Sequence, residues 1–458
     1  MDFFQVVSFI ISALLFIGGF LLSLWWIWIP WFLLHLFKGF WLKWRRNLYI
    51  GKLEWVLLEV TPPRDIKKTA QAMEQFFNGL HGTIGSKNWW ERNISGEVQR
   101  WTSMEMVSLG GEIHFFIRVF SGHRNIVESN IYAQYPEAEI KEVPDYVNSV
   151  PDDIPSEDYM LWGTEYILTK EDAYPIRTYF EFEKEATSEE QRIDPIATTM
   201  EIMSRLAPSE QIWIQTLVRP VGDAWQKKGE ELRDKLVGRK PNKKEGFIRQ
   251  EVTGWKNAGK SVSHHLVTGN PLEGNAGGGE EKKDTPFLWT TTKGEQEAIA
   301  AIERNISKLG FDTIIRFVYI APRDIYHRPN ANAINGAYKQ YSTQDLNGFK
   351  ASGKISTDII DYWFQLKNLR QNYRPRRVFA DYKKRDFIQH SASIPYLKPH
   401  LFERLPILKW FFIRSKPFVL NTEELATIYH FPVETVKAPL MPKIEARKKE
   451  PPIGLPVE

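Results

Sequence analysis

Residues 99–120, QRWTSMEMVSLGGEIHFFIRVF, decide the fold of this chain. Two extended runs, Gln99 to Leu109 and Glu112 to Phe120, are joined by Gly110-Gly111, a pair that favours a tight hairpin turn. Apolar residues at every second position of the second run indicate a strand with one buried face. The stretch therefore predicts an antiparallel hairpin.

The sequence on either side of this hairpin completes a recognisable order of elements. Strand formers at 52–60 precede a helical pattern at 66–80, and a helix at about 123–135 precedes a short strand at 138–143. Strand, helix, strand, strand, helix, strand is the order of the ferredoxin-like plait. We therefore assign residues 51–150 to an α+β domain of this type.

A second α+β domain is predicted at 151–345. Its predicted elements are strands at Trp162–Thr169 and Ile176–Phe182, a helix from Asp194, a strand at Gln211–Arg219, a helix after Thr292 and a strand at Phe311–Ala321. Thr292 and Glu295 have the spacing of a capping box at the start of the helix after Thr292. Two halves of βαβ type indicate a second, degenerate copy of the plait. The expected fold class is α+β.

A charged insertion at about 222–286 interrupts the second domain. It begins as a helix and becomes rich in Lys, Gly and Glu, with too few apolar residues for a core. Within it, Gly254 to Ser261 (GWKNAGKS) matches the phosphate-binding P-loop pattern. A P-loop needs a buried strand before it and a helix after it, and neither is predicted here. We favour a charged surface loop, with a P-loop NTPase as the alternative.

The first 50 residues form a predicted membrane anchor. Val6 to Ile29 is a run of 24 residues without a charged side chain, and a helix of this length covers a hydrocarbon core of about 30 Å. The long apolar run, without a basic n-region or a cleavage site of small residues, argues against a cleaved signal peptide. We expect Pro30 to break or kink this helix, and the segment after it to lie in the membrane interface.

Aromatic and basic residues mark the end of the anchor. The predicted interface residues are Trp25, Trp26, Trp28, Trp31, Trp41, Trp44, Arg45 and Arg46. Tryptophan is enriched at the headgroup level, and positive charges stay on the cytoplasmic side. We expect a single-pass protein of the cell membrane, with its amino terminus outside and its body in the cytoplasm.

Composition restricts the chemistry. The chain has no cysteine and a net charge of +4, so disulfides, thiolate catalysis and cysteine zinc sites are excluded. The histidines are scattered, and no nucleophile elbow is present. We expect no metal, no cofactor and no enzymatic activity.

Residues 346–420 carry a local positive charge, with 13 Lys and Arg against 4 Asp and Glu between Ile360 and Lys416. The candidate nucleic-acid-binding residues are Arg370, Arg374, Arg376, Arg377, Lys383, Lys384 and Arg385. Cations interleaved with aromatic residues are typical of nucleic-acid channels. Contact with anionic lipid, or a solvated basic face, explains the same charges. All three interpretations stay open.

Residues 421–458 are predicted to be a short capped helix and an extended proline-rich tail. A segment that cannot bury itself often gains order on another surface. Candidate partner-binding residues are Leu425, Ile428, Phe431 and Leu440. A tail without a partner is the alternative.

Several phrases carry a family resemblance. They are AMEQFFNGLHG (72–82), HFFIRVF (114–120), NIVESNIYAQYPEAEI (125–140), DYMLWGTEYILTKEDAYPIRTY (158–179), DPIATTMEIMSRLAPSEQIWIQTLVRP (194–220) and NTEELATIYHFP (421–432). The chain resembles the membrane-anchored amino-terminal region of type IV secretion-type conjugative DNA-transfer proteins, the coupling-protein-like group. In that group the region often leads into a DNA-pumping ATPase, whose core this sequence does not include.

The resemblance implies a non-catalytic, membrane-anchored component of a type IV secretion-like or conjugative DNA-transfer machine. A separate P-loop ATPase would supply the motor, and contact with DNA and homo-oligomerisation are further expectations. A membrane scaffold for protein secretion or pilus assembly is an alternative from a different functional class.

Overall fold

The structure is a computed structural model that describes residues 19, 23–63, 66, 68–184, 193–238, 292–353, 355–357, 367–387 and 416–433. It has two compact units. The first comprises Met1–Gly222 and Lys308–Glu458, and the second comprises Asp223–Ser307. The motif at Gly254–Ser261, Leu440 and the tail after residue 433 lie outside the described residues.

The amino-terminal half of the first unit contains four antiparallel strands. The elements are α1 Trp25–Gly51, β1 Trp55–Thr61, α2 Ala70–His81, β2 Thr102–Leu109, β3 Glu112–Phe120, α3 Arg124–Gln134 and β4 Glu139–Glu142. The strands lie in the order β4-β1-β3-β2. Gly110 and Gly111 have φ values of +60° and +93°, which a side chain would strain. The predicted hairpin is confirmed.

The following part of the chain repeats this arrangement. Its elements are β5 Tyr159–Leu168, α4 Tyr179–Lys184, α5 Ala197–Ser204, β6 Gln211–Pro220, α6 Ala224–Leu236, α7 Lys293–Ile306, β7 Gly310–Pro322, α8 Arg328–Tyr338 and β8 Phe349–Ala351. The strands lie in the order β6-β7-β5-β8 and pair antiparallel. If β5 to β8 are renumbered 1 to 4, their order across the sheet is 2-3-1-4. The first half has the order 4-1-3-2, which is the same order read from the opposite edge.

Helices α6 and α7 belong to the second unit. The predicted charged helix at the start of the insertion is confirmed as α6. Thr292 and Glu295 form the predicted capping box of α7. The sequence predicts this helix within the second α+β domain, whereas α7 lies with α6 in the second compact unit, where Glu303 is 3.8 Å from Arg233.

The two halves share one sheet because β2 pairs with β6 along its whole length, from Thr102 opposite Val218 to Leu109 opposite Gln211. The remaining elements are α9 Lys367–Lys384, β9 Phe418–Asn421 and α10 Thr422–Ile428. Strand β9 pairs with residues 310–313 of β7, just before the part that pairs with β5. The described residues thus form one antiparallel sheet of nine strands. The predicted mixed α+β class is confirmed.

Both faces of the sheet are covered. Successive residues of a strand point to opposite faces, and Leu57 and Leu58 of β1 accordingly enter different hydrophobic cores. The larger core takes side chains from α2, α3, α5, α8 and α10. The smaller core takes side chains from α9 and from residues 146–154. Burial on both faces explains why each central strand carries apolar residues on both of its faces.

The predicted strand Ile176–Phe182 is wrong, because helix α4 begins at Tyr179. The backbone N–H of Ile176 donates to Glu424, and that of Tyr179 donates to the hydroxyl of Thr427. These donors are used by side chains of α10 and not by a neighbouring strand. Sequence alone could not show this, since the partners lie about 250 residues away.

Helix α1 is continuous through Pro30. The expectation that this proline breaks the helix is therefore wrong, although its missing N–H removes one helical hydrogen bond. Most of the predicted span Val6–Ile29 lies outside the described residues. Among those that are described, no helix is both long and apolar enough to cross a bilayer.

Candidate membrane interface and buried polar sites

Helix α1 exposes an unusual number of large apolar side chains. They are Trp25, Trp26, Trp31, Leu33, Leu34, Phe37, Phe40, Trp44 and Leu48, with Phe40 the most open at 64%. Leu33, Phe37, Phe40, Trp44 and Leu48 follow one another at steps of three or four residues, which places them along one side of a helix. An exposed stripe of this kind marks an interaction surface.

Cations lie on α1 away from this apolar stripe. Lys38 and Lys43 are exposed, and Arg45 and Arg46 are half-buried at the end that joins the body. At 100° per residue, none of the four falls within the arc of the stripe. An apolar face with a basic flank is typical of helices that lie against a lipid surface.

The carboxyl end of α1 is fixed to the body. Arg45 Nε donates to the carbonyl of Ile94 over 2.9 Å. Gly96, with φ of +74°, lies so close that a Cβ would be 2.7 Å from the Arg45 carbonyl carbon. Tyr49 and Ile50 pack on a small buried cluster that includes Trp101. The stripe is therefore held in a defined position at its base.

The predicted interface residues are largely open. Trp25, Trp26, Trp31 and Trp44 are exposed, Trp41, Arg45 and Arg46 are half-buried, and the side chain of Trp28 is outside the described atoms. Trp41 lies between Phe37 and Trp44, with ring centroids 6.0 and 5.3 Å away. Arg45 approaches the Trp41 ring at 5.9 Å.

The basic residues of α9 and the turn after it fall into three groups. Arg376 and Lys384 are exposed, and Arg376 also donates to the carbonyl of Pro155 at 3.5 Å. Three others have partners: Arg374 donates to the carbonyl of Ser356, Arg377 is 3.9 Å from Asp381, and Lys383 is 2.5 Å from Asp152. Arg385 is buried, and the side chain of Arg370 is outside the described atoms. Of the three aromatic residues that lie between these cations in the sequence and could stack on bases, Phe379 and Tyr382 are core residues and Tyr373 is 45% exposed. The structure thus leaves few of these groups open to a ligand.

Arg385 is 1% exposed and forms a buried ion pair. Its Nε and Nη2 donate to the two carboxylate oxygens of Glu105 at 2.6 and 2.9 Å, and Nη1 donates to Asp145 at 2.6 Å. Although burial opposes ionisation, Arg385 and the hydroxyls of Ser103 and Tyr146 lower the pKa of Glu105. A phosphate cannot reach Arg385 in this arrangement.

The ion pair belongs to a polar row across the sheet. Glu105, Gln215, Arg316 and Glu165 lie opposite one another on β2, β6, β7 and β5. Arg316 Nε donates to Glu165 at 2.7 Å. The row also holds the end of α9, because Gln215 donates to the carbonyl of Tyr382. Single polar residues inside otherwise apolar strands were the available sequence signal, and our sequence reasoning missed it.

The carboxyl-terminal segment 416–433 is part of the core. The prediction that residues 421–458 cannot bury themselves is therefore wrong for 421–433, and the rest of that range lies outside the described residues. Leu425, Ile428 and Phe431 are at most 2% exposed. The Phe431 ring lies 5.1 Å from Phe115 and 5.0 Å from Tyr135. These side chains are therefore taken by the chain itself and not offered to another protein.

Hydrogen bonds and ion pairs also hold the segment 416–433 against the rest of the body. The predicted capped helix begins here, and Asn421 and Glu424 form its capping box. Lys308 bridges Glu74 and Glu423 at 2.6 and 2.5 Å. His430 contacts Asp194 at 2.8 Å through Nε2 and the carbonyl of Ala426 at 2.8 Å through Nδ1.

Asp194 is the acceptor at the centre of these contacts. It accepts hydrogen bonds from the backbone N–H groups of Ile196 and Val433. Although burial opposes ionisation, His430 and these N–H groups lower the pKa of Asp194. The contacts therefore favour the carboxylate form of Asp194 and join it to the carboxyl-terminal segment.

A comparison with protein families matches residues 47–441 to a family described as "Domain of unknown function (DUF8128)". The chain belongs to the DUF8128 family. The matched range begins directly after Arg46, so most of α1 precedes it, and it includes the buried segment 416–433. No curated protein matched the chain.

The His, Asp and Glu side chains of this DUF8128 protein decide whether it could hold a metal ion. In the described part of the chain, no group of three His, Asp or Glu side chains could hold a metal ion. The buried acids have other partners: Glu105 and Glu165 pair with arginines, and Asp194 pairs with His430. These groups fit a structural role better than a catalytic one.

Proposed function

We propose that this DUF8128 protein is a membrane-anchored, non-catalytic platform whose α+β body lies in the cytoplasm. The exposed apolar stripe of α1, with cations beside it and a fixed base, carries the proposal. Five side chains that each gain about 1 kcal/mol on leaving water would supply about 5 kcal/mol. That is similar to one acyl chain, which binds membranes reversibly. The predicted span Val6–Ile29 would make the attachment permanent.

We further propose that each half of the sheet is a ferredoxin-like plait. Both halves have the strand order of that fold, and each places its helices on one face. Their pairing through β2 and β6 removes an open strand edge from each half, and such edges otherwise promote aggregation. A fold of this kind serves many functions, so it does not assign one. It provides a broad, rigid body for partners.

The resemblance to conjugative DNA-transfer proteins gives the proposed context, a type IV secretion-like machine in the cell membrane with a separate DNA-pumping ATPase. Since Leu425, Ile428 and Phe431 face inward, we place the ATPase contact on the outer surface of the body, where several copies could also assemble. Co-purification from membranes should recover an ATPase with the full-length protein. Recovery of the protein without any ATPase would count against this context.

A direct test of anchoring uses the absence of cysteine. A single cysteine replacing Ile325, an exposed residue of the body, should react with an impermeant maleimide in inverted membrane vesicles but not in intact cells. The protein should also stay in the membrane fraction after alkaline extraction. Labelling in intact cells would refute the cytoplasmic body, and release by alkali would refute the anchor.

A scaffold that does not touch DNA is the second candidate, and the burial of Arg385 favours it. Replacing both Arg376 and Lys384 with Ala tests the difference, with exposed Lys350→Ala as the matched control. If the basic segment binds DNA, the double variant should flatten the log–log dependence of binding on salt by about 1 per lost contact. Equal binding by the double variant and the control would support the scaffold.

The NTPase alternative depends on Lys260. We expect Lys260→Ala to leave nucleotide affinity unchanged at background, because the sequence around it lacks the strand and helix that a P-loop needs. Tight ATP binding that disappears with this substitution would establish an enzyme instead.

A further inference from the structure

Two consecutive tryptophans form an exposed patch on the body. Trp89 and Trp90, between α2 and β2, are 65% and 63% exposed, and nearby Ile84 is 41% exposed. Large aromatic side chains are rarely left in water without a function. This patch was not among the membrane residues predicted from the sequence.

The patch lies beside the base of α1. The tryptophans lead directly into a π-helical turn, Glu91–Ser95, whose Ile94 carbonyl accepts the hydrogen bond from Arg45. Gly96 ends this turn in a left-handed conformation and lies against the backbone of Arg45. The tryptophan pair is therefore attached to α1 at the level of its basic residues.

Hydrogen bonds also brace the loop that carries the patch. Lys87 pairs with Glu97 at 2.6 Å. Gln99 donates to the Thr83 carbonyl and accepts from the Gly85 N–H, both at 3.0 Å. The tryptophans therefore project from a braced surface, so binding would cost little loop entropy.

We propose that Trp89, Trp90 and Ile84 form a second lipid contact, which enters the interfacial zone of the bilayer that holds α1. Tryptophan prefers the headgroup level, where its ring is in contact with acyl chains and its N–H with water. Exposed Arg92 beside the pair and Lys43 on α1 would meet anionic headgroups. Two contacts, one on α1 and one on the body, would fix the tilt of the sheet relative to the membrane.

This inference rests on the proposed anchoring, so its test includes separate reporters for the two ideas. Because the chain has no cysteine, single cysteines at exposed Asn88, Phe40 or Ile325 can each carry a nitroxide. Asn88 reports the tryptophan patch, and Phe40 reports α1. Ile314, near the start of β7, packs near the base of α1. Ile325 follows the other end of this strand, so it serves as the control away from lipid.

The full-length variants are reconstituted into vesicles of equimolar phosphatidylcholine and phosphatidylglycerol. Membrane depth is read from collisions of the nitroxide with oxygen, which concentrates in lipid, and with a water-soluble nickel chelate. We expect labels at Asn88 and Phe40 to favour oxygen and the label at Ile325 to favour nickel. Adding Trp89→Ser and Trp90→Ser should move the Asn88 label toward the nickel-accessible range and leave the Phe40 label unchanged.

Each other result has a defined meaning. If the Phe40 label favours oxygen and the Asn88 label favours nickel, the second contact is refuted while the α1 anchoring stands, and the patch is left for a protein partner. If both labels favour nickel, both ideas fail. An Asn88 label that stays in lipid after both tryptophans are replaced would also refute their role.

Discussion

Replacing Arg385 with methionine removes the cation from the buried pair at the centre of the sheet. Glu105 would then keep only the donors of Ser103, Tyr146 and Gln215. Breaking a buried ion pair from one side costs about 3–5 kcal/mol. We expect about 3 kcal/mol here, because three donors remain on Glu105 and because Asp145 is partly exposed to water.

The pH dependence gives a sharper signature. In the native protein the pKa of Glu105 is lowered. The stabilisation that ionised Glu105 gives to the fold is therefore fully present at pH values above the pKa of an ordinary carboxyl group. It is lost as the pH falls through the pKa of Glu105 in the folded state. Without Arg385, burial raises that pKa, and the folded state then binds a proton that the unfolded state releases. The difference in stability between variant and native protein should therefore grow with rising pH, by up to about 1.4 kcal/mol per pH unit.

Urea unfolding of the full-length protein in detergent measures both effects. Near-ultraviolet circular dichroism suits the region, because the indole N–H of Trp101 donates to the Arg385 carbonyl. Arg376→Met, an exposed change on α9, is the matched control and should shift stability by less than about 0.5 kcal/mol. Glu105→Gln combined with Arg385→Met should recover part of the loss. If Arg385→Met and Arg376→Met unfold at the same urea concentration at every pH, the reasoning is wrong.

Three further predictions concern the buried segment and the base of α1. Leu425→Ala should lower the free energy of unfolding by about 3 kcal/mol, and half-exposed Leu309→Ala by less than about 1 kcal/mol; similar urea midpoints would mean that Leu425 is not in a core. Burial raises the pKa of Glu424 to about 8, so the free energy of unfolding should fall as the pH rises from about 4.5 to about 8. Glu424→Gln should remove this pH dependence. If the pH profile of the variant is unchanged, another group causes the dependence. Gly96→Ala should cost at least about 1 kcal/mol, since its φ is positive and α1 lies against it; Gly222→Ala, with open space around it, should be neutral, and equal melting temperatures for the two would contradict the close contact.

Local signals gave reliable predictions. The paired glycines placed the hairpin between β2 and β3, and the predicted helix at 66–80 overlaps α2, Ala70–His81. The spacing of Thr292 and Glu295 predicted the capping box of α7, and the short helix after Asn421 was predicted as capped. Each of these features depends on side chains within a few residues of the backbone that they organise. Such patterns need no knowledge of the rest of the fold.

Contacts between distant segments were beyond the sequence reasoning. Ile176–Phe182 has the composition of a strand, yet its N–H groups are bound by Glu424 and Thr427. A basic, aromatic stretch predicted a ligand surface, but Arg385 neutralises Glu105, a residue 280 positions earlier. Whether a charged side chain can bind a ligand depends on whether its partner is water or a buried carboxylate, and the sequence does not show which partner it has.

The sequence by itself determined seven of the nine strands, several helices, the mixed α+β class and the concentration of aromatic residues in α1, because periodicity and turn chemistry act over short distances. Only the tertiary structure decided that β2 and β6 join both halves into one sheet, that residues 416–433 pack into its core, and that the turn after Trp90 packs against Arg45. Those outcomes depend on which apolar faces and buried charges are in contact in the folded chain. The free energy of such tertiary contacts is set by the burial of the groups and the distance between them.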